Sequence, residues 1–275
     1  MSLAATLDRQ PPGTGSAVAS YPVTLRRVVA SEWIKFRTLR STLAVLGAAV
    51  VGIFLIALLV AYNTRHLTAN LQPDDHVPSS TMQGYYLGQL LIGALGVLFV
   101  TGEYSTGMIR STMAAVPRRL PVIWAKLVVF VSVTLVSMVS ICLLAFLAAQ
   151  ALINQYRPGY SLGDAHVLRV VIGTGVYLTL VGVIAAMLGW IVRSTPGALV
   201  AYIAVILVLP VLFGSVLGTW GKDVAEFMPS TAGASFVRSI RESHTLSPWT
   251  GLGVLAAWAV VGVVVASVQL RRRDA

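Results

Sequence analysis

Side chains able to carry chemistry are few in this chain. Of 275 residues, 11% are charged and 56% are hydrophobic, whereas an ordinary soluble domain carries about 25% charged residues. The four histidines, His66, His76, His166 and His244, stand far apart, and no Cys/His cluster has metal-ligand spacing. HExxH and GxSxG are absent. The single cysteine, Cys142, lies in the apolar run SICLLAF and has no second thiol to pair with, so it reads as a small core or lipid-facing hydrophobe. The nearest approach to a phosphate-binding loop is GSVLGTWGKD, Gly214 to Asp223. Its glycine spacing is wrong, and Asp223 stands where Ser or Thr must ligate magnesium. The expectation is no catalytic residue, no metal and no cofactor on this chain.

The polar groups gather instead in three stretches. The first, GEYSTGMIRSTMAAVPRRLPVIWAK over 102–126, is long for a connection between two apolar runs. Ile109, Met113 and Val116 fall on one helical stripe, which leaves a short helix and a solvated loop equally open. The second is YPVTLRRVVASEWIKFRTLRS. Leu25, Val28, Val29, Trp33, Phe36 and Leu39 recur at steps of three and four, while Arg26, Arg27, Ser31, Lys35, Arg37 and Thr38 fill the other side. This predicts an amphipathic helix over 23–40, with Thr24 as N-cap, lying in a membrane interface with its apolar side down. The third, AEFMPSTAGASFVRSI, holds Phe227, Met228, Phe236, Val237 and Ile240, with Ser230 or Thr231 placed to cap a short helix that dips into the outer leaflet.

The elements that must position these groups follow from uncharged runs near twenty residues long, the length that crosses a hydrocarbon core of about 30 Å. Six spans are predicted, near 42–62, 83–102, 127–152, 170–192, 197–219 and 249–270. Residues 1–22 read as a disordered tail without a cleavable signal, 41–270 as the membrane domain and 271–275 as a basic C-terminus. With the N-terminus inside, fourteen of the 20 Lys and Arg residues face the cytoplasm and six face outward, which places both termini in the cytoplasm. The net charge of +10 is then a topology effect, and no nucleic-acid partner is expected.

These predicted spans contain no ionisable residue, which argues against an ion-coupled carrier. Gln89 and Gln150 are amides inside these spans, available to a polar pathway or to a link between helices. Gly175, Gly182 and Gly189 repeat every seven residues, and Gly84 and Gly88 form a GxxxG. Small residues at such spacing allow close helix packing, within a bundle or across a dimer. Pro210 should kink the fifth span.

Taken together, SEWIKFRTLRST before the first span, EYSTGMIR then AAVPRR after the second, and FMPSTAG before the sixth resemble the membrane subunit of type-two class ABC exporters, in the version of high-GC Gram-positive bacteria. The resemblance runs over 24–270. It implies an all-α membrane protein of six transmembrane helices, an N-terminal interfacial helix, a cytoplasmic coupling helix and short re-entrant helices before the last span. It implies a bacterial plasma-membrane permease without its own ATPase, paired with a second permease chain (homo- or heterodimer) and with two copies of an ABC ATPase that bind ATP and Mg. Glu103, Tyr104, Ser105, Thr106, Gly107, Met108, Ile109 and Arg110 would then form the ATPase-coupling element. Trp33, Lys35, Phe36 and Arg37 would belong to the interfacial helix, and RSTPG would make a minor second contact. The absence of charge in the spans suits a hydrophobic or amphipathic cargo such as a drug, a peptide antibiotic or a lipid. The alternative is a non-transporting scaffold or sensor that binds a soluble partner through the same segment.

Overall fold

A computed structural model describes residues 24–65, 78–115, 120–156, 158–239 and 245–272. Expectations for residues 1–22, His66, His76, Val116, Arg118, Arg119, Ile240, His244 and 273–275 lie outside the described residues. Among the described residues all regular structure is helical. The order is α1 (Leu25–Thr38), α2 (Arg40–Thr64), a 3-10 turn (Pro78–Met82), α3 (Tyr85–Ser105), α4 (Met108–Ala115), α5 (Leu120–Ile153), α6 (Val167–Val192) and α7 (Thr195–Ile203). A π turn (Ala204–Val208), α8 (Leu209–Val216), α9 (Gly218–Ala225), α10 (Pro229–Val237) and α11 (Pro248–Arg272) complete it.

Six helical stretches are long and apolar enough to cross a membrane: Arg40–Thr64, Ser80–Ser105, Leu120–Ile153, Val167–Val192, Thr195–Val216 and Pro248–Arg272. They mark the chain as a multi-pass helical membrane protein. Their ends depart from the uncharged runs in an instructive way. α3 continues to Ser105 and α5 begins at Leu120, so Glu103 and Lys126 are inside long helices, as is Arg169 in α6. The helices thus run past the uncharged stretches and take in charges at their ends, while the stretches themselves hold no Asp, Glu, Lys, Arg or His. Hydropathy ends a span at its first charge, but a helix need not stop there when an opposite charge on a neighbour neutralises it. The 34 residues of α5 extend about 51 Å at 1.5 Å per residue, well beyond a 30 Å core.

The centre of the bundle is α6, with α3 beside it. Some 83% of the apolar window of α6 and 67% of that of the α3 span are buried, against 17% for α2 and 11% for Thr195–Val216. Glycine makes the central contact possible. A Cβ on Gly96 would lie 2.3 Å from the carbonyl oxygen of Gly182, and one on Gly93 would enter the Tyr202 ring. Gly175 faces Val139 of α5, Gly182 sits between Phe130 and Ile92, and Gly189 faces Val100. Gly84 abuts the Ile53 backbone, and Gly88 meets the side chains of Ile53 and Leu178. These seven glycines all pack against residues of this same chain.

Outside that core, Thr195–Val216 runs as one span through the π turn, which ends two residues before Pro210. Proline has no N–H to donate, and a π turn is one way a helix accommodates an interrupted ladder. α10 is largely buried against α6 and α11. Pro229 is its first residue, so the N-cap position falls to Met228, and Ser230 and Thr231 lie in the first turn instead of capping it. Its other end is held by Arg169, whose guanidinium donates to the carbonyls of Phe236 (2.6 Å) and Arg238 (3.1 Å), a cation at a helix C-terminus where the unsatisfied carbonyls gather. Cys142 is in the core.

Adding a methyl at Gly96 should destabilise the bundle by about 1–3 kcal/mol, because backbone lies opposite and neither helix can yield. Gly253→Ala, where an added Cβ meets nothing within 4 Å, should be neutral or slightly stabilising. Thermal unfolding of the detergent-solubilised variants distinguishes the two.

Candidate functional site

At one end of the bundle α1, α3, α4 and α5 converge on a closed ring of alternating charge. Lys35 Nζ lies 2.7 Å from Glu32 Oε1 and 2.8 Å from Glu103 Oε1. Lys126 Nζ lies 2.7 Å from Glu32 Oε2 and 2.8 Å from Glu103 Oε1. Glu32 is fully buried, Glu103 and Lys126 are within 4% of full burial, and only Lys35 reaches solvent, at 23%. The ring is neutral as a whole, two carboxylates against two ammonium groups.

Its hydrogen bonding is complete on the cationic side. An ammonium has three protons to donate. Lys126 spends its third on the Phe99 carbonyl (3.3 Å), and Lys35 directs its third toward Thr112 Oγ1 on α4 (3.4 Å). Thr112 in turn stands 3.5 Å from Glu103 Oε2. Burial alone would lower the Lys35 pKa, but its hydrogen bonds to Glu103 and Glu32 overcome this and raise it above the ordinary lysine value. It therefore stays charged throughout the neutral range.

Aromatic side chains seal the ring. Lys126 Nζ sits 4.3 Å from the centroid of Phe99, a favourable position for a cation over an aromatic face. Phe36 meets Phe99 edge-on at 5.2 Å, and Phe99 stacks on Phe130 at 6.1 Å. Packing thus accounts for one face of α1. Its buried line is Val28, Glu32 and Phe36, at i, i+4 and i+8, while Leu25, Trp33 and Ile34 are exposed. The predicted apolar stripe is split between these two faces. Thr24 holds the N-cap position with extended backbone but makes no side-chain cap bond, and Arg37 is exposed.

The segment after α3 is compact. Thr106 and Gly107 form the turn, Gly107 with φ +71°, a conformation that favours glycine. Ser105 and Thr106 donate their hydroxyls to the Gly102 carbonyl. α4 then buries Ile109 and half-buries Met113, while Ser105, Thr106, Gly107, Met108, Arg110 and Ser111 are exposed. The eight residues from Glu103 to Arg110 therefore divide. Glu103 and Ile109 face inward and hold the segment down, and the rest of the turn and Arg110 face out. Tyr104 is half-buried against Trp190 (5.9 Å, edge-on), with the Arg193 guanidinium 5.8 Å from its ring.

The short RSTPG connection adjoins the same end. Arg193 closes α6 in a left-handed conformation at φ 60°, and Thr195 donates to Thr101 on α3 at 2.8 Å. Gln89 and Gln150 are each engaged in structure. Gln89 accepts from the Tyr177 hydroxyl with its side chain and from Tyr202 with its carbonyl, while Gln150 accepts the Tyr160 amide at 3.0 Å. No group of His, Cys, Asp or Glu able to hold a metal occurs among the described residues.

Sequence reasoning placed Lys35 and Glu103 in separate elements, gave Lys126 to a loop and passed over Glu32. The signal available was a lone glutamate in the middle of an otherwise basic helix. No protein-family model and no curated protein matches the chain.

Replacing Lys126 with Met should cost about 3–5 kcal/mol, because two buried carboxylates lose a partner. Combining it with Glu103→Gln should cost less than the two single substitutions summed. Unfolding measurements on the two single variants and the double variant close this cycle.

Proposed function

We propose that the chain is the permease of an ATP-driven exporter of the type-two ABC class, with its ATPase on separate subunits. The observation that carries this reading is α4. It is a short helix outside the six spans, fastened inward by Glu103, Thr112 and Ile109, and presenting Thr106, Met108, Arg110 and Ser111 outward. A surface loop that only joined two spans would need no such fastening. A helix that receives a push from another protein must transmit it to the spans rather than yield. The sequence EYSTGMIR, which resembles the coupling segment of that class, lies across this turn and helix.

In this reading the exposed side of α4 sits in the cytoplasm against the ATPase, and closure of the ATPase dimer displaces α4. The ionic ring carries that displacement into α1, α3 and α5 together. The partner of the permease is a second permease chain, and the cargo is hydrophobic or amphipathic. The ring is a positioning device in this scheme; it neutralises itself and leaves no charge over for an ion passing through.

The experiment keeps the ring intact and alters only the exposed side. Arg110→Glu with Ser111→Glu should reduce recovery of a Walker-A ATPase with the tagged permease from native membranes by about tenfold, as loss of charge-assisted contacts implies. Membrane insertion and thermal stability should be unchanged. Undiminished ATPase recovery, or a wild-type chain that yields no ATPase, overturns the reading; a non-ATPase protein recovered in stoichiometric amount would favour the scaffold alternative.

A further inference from the structure

The opposite end of the bundle holds a cavity of about 580 Å³ between α3, α6, the π turn with α8, α9 and α10. That volume is in the range of small-molecule sites, roughly 300–1,000 Å³. Its wall on one side is apolar, from Ile206, Leu207, Pro210 and Val211. Its inner floor is aromatic and amide, from Tyr85, Gln89 and Tyr177, and its rim carries Lys222, Glu226 and Arg238. Tyr86 and Val211, 51% and 59% exposed, flank a lateral opening beside α8.

We infer that this cavity binds an amphiphile bearing one anionic group. The apolar part lies against the π turn and α8, and the anionic head lies at the rim, which among the described residues carries Lys222 and Arg238 beside Glu226. The polarity gradient sets the orientation. Every group lining the floor is uncharged, so a charged head placed there would be desolvated without a counter-ion. At the rim it meets Lys222 and Arg238. The floor is rigid, because Tyr177 and Tyr202 lock Gln89 from two sides and Tyr85 meets Tyr177 edge-on at 5.6 Å. The wall at 204–211 combines a π turn with a proline, the features that most often mark a local departure from α geometry.

The inference deepens the exporter reading by naming a cargo class and rests on it only for the word cargo. Binding is measured on the full chain alone, in phosphatidylcholine nanodiscs, so its failure and the failure of ATPase recovery are separate events. The fluorescent probe is 11-(dansylamino)undecanoic acid, with empty nanodiscs as background, competed by dodecanoate, dodecyl glucoside and dodecyltrimethylammonium. Saturable binding above background is expected, with dodecanoate the strongest competitor and the cationic amphiphile the weakest. Lys222→Glu should weaken dodecanoate about tenfold, as expected for loss of one charge-assisted contact, and improve the cationic competitor. Gly214→Phe, which projects a ring into the cavity from α8, should abolish probe binding; Lys222→Glu, on the rim, serves where that variant fails to fold. Nanodiscs containing phosphatidylglycerol separate the sources of the anion: displacement by that lipid identifies a bilayer ligand, and persistence identifies a free amphiphile. Probe signal equal to empty nanodiscs, equal competition by the three head groups, or an affinity order unchanged by Lys222→Glu overturns the inference.

Discussion

The ring of Glu32, Lys35, Glu103 and Lys126 is the constraint on which one whole end of the molecule depends. Two ammonium groups and two carboxylates in low dielectric are tolerable only if each is paired and hydrogen-bonded. Here each cation finds three acceptors. Because the charges alternate around a closed circuit, withdrawing α3 would leave both lysines, and withdrawing α5 both glutamates, short of a partner. α1 must therefore lie against α3 and α5, with Val28 and Phe36 following Glu32 into the interior. The turn at Gly107 must be tight, since α4 has to fold back far enough to bring Thr112 to the ring.

Much of the architecture could be read from the chain itself, for a physical reason. A segment that crosses a bilayer must be apolar along its whole length, so its position is written in consecutive residues. The runs near 42–62 and 170–192 lie within α2 and α6 for this reason. The ring was illegible for the converse reason. Three of its four pairings join residues 23, 68 and 94 apart, and no local pattern reports a pairing at such distances. Counted one at a time, Lys126 looked like a positive charge at a span boundary, and Glu103 like the start of a loop. On α1 the apolar positions divide between a buried face and an exposed one, and periodicity alone does not report which of them the fold buries. The glycines on α6 were visible in sequence, but Gly96, whose added Cβ would lie 2.3 Å from the Gly182 carbonyl oxygen, belongs to no regular repeat.

The two ends of α3 have opposite characters. At its start, Tyr85 and Gln89 contribute to an open, mostly neutral cavity; at its finish, Glu103 is sealed in a saturated ionic ring. Gln89 and Glu103 are fourteen positions apart on one unbroken helix, about 21 Å by helix rise. The fully engaged Gln89 and the fully engaged Glu103 leave little slack at either point.

The contact of Gly96 with Gly182 gives this arrangement a mechanical meaning. Where backbone meets backbone with no side chain between, there is no soft layer to shear, and α3 and α6 are bound to move as one solid axle. Give in the molecule then has to be found in the thinly covered strut from Thr195 to Val216, already loosened at its middle by a wider turn and a proline. The protein is thus stiff along its centre and pliant at one flank, and the pliant flank is the one that borders the open space.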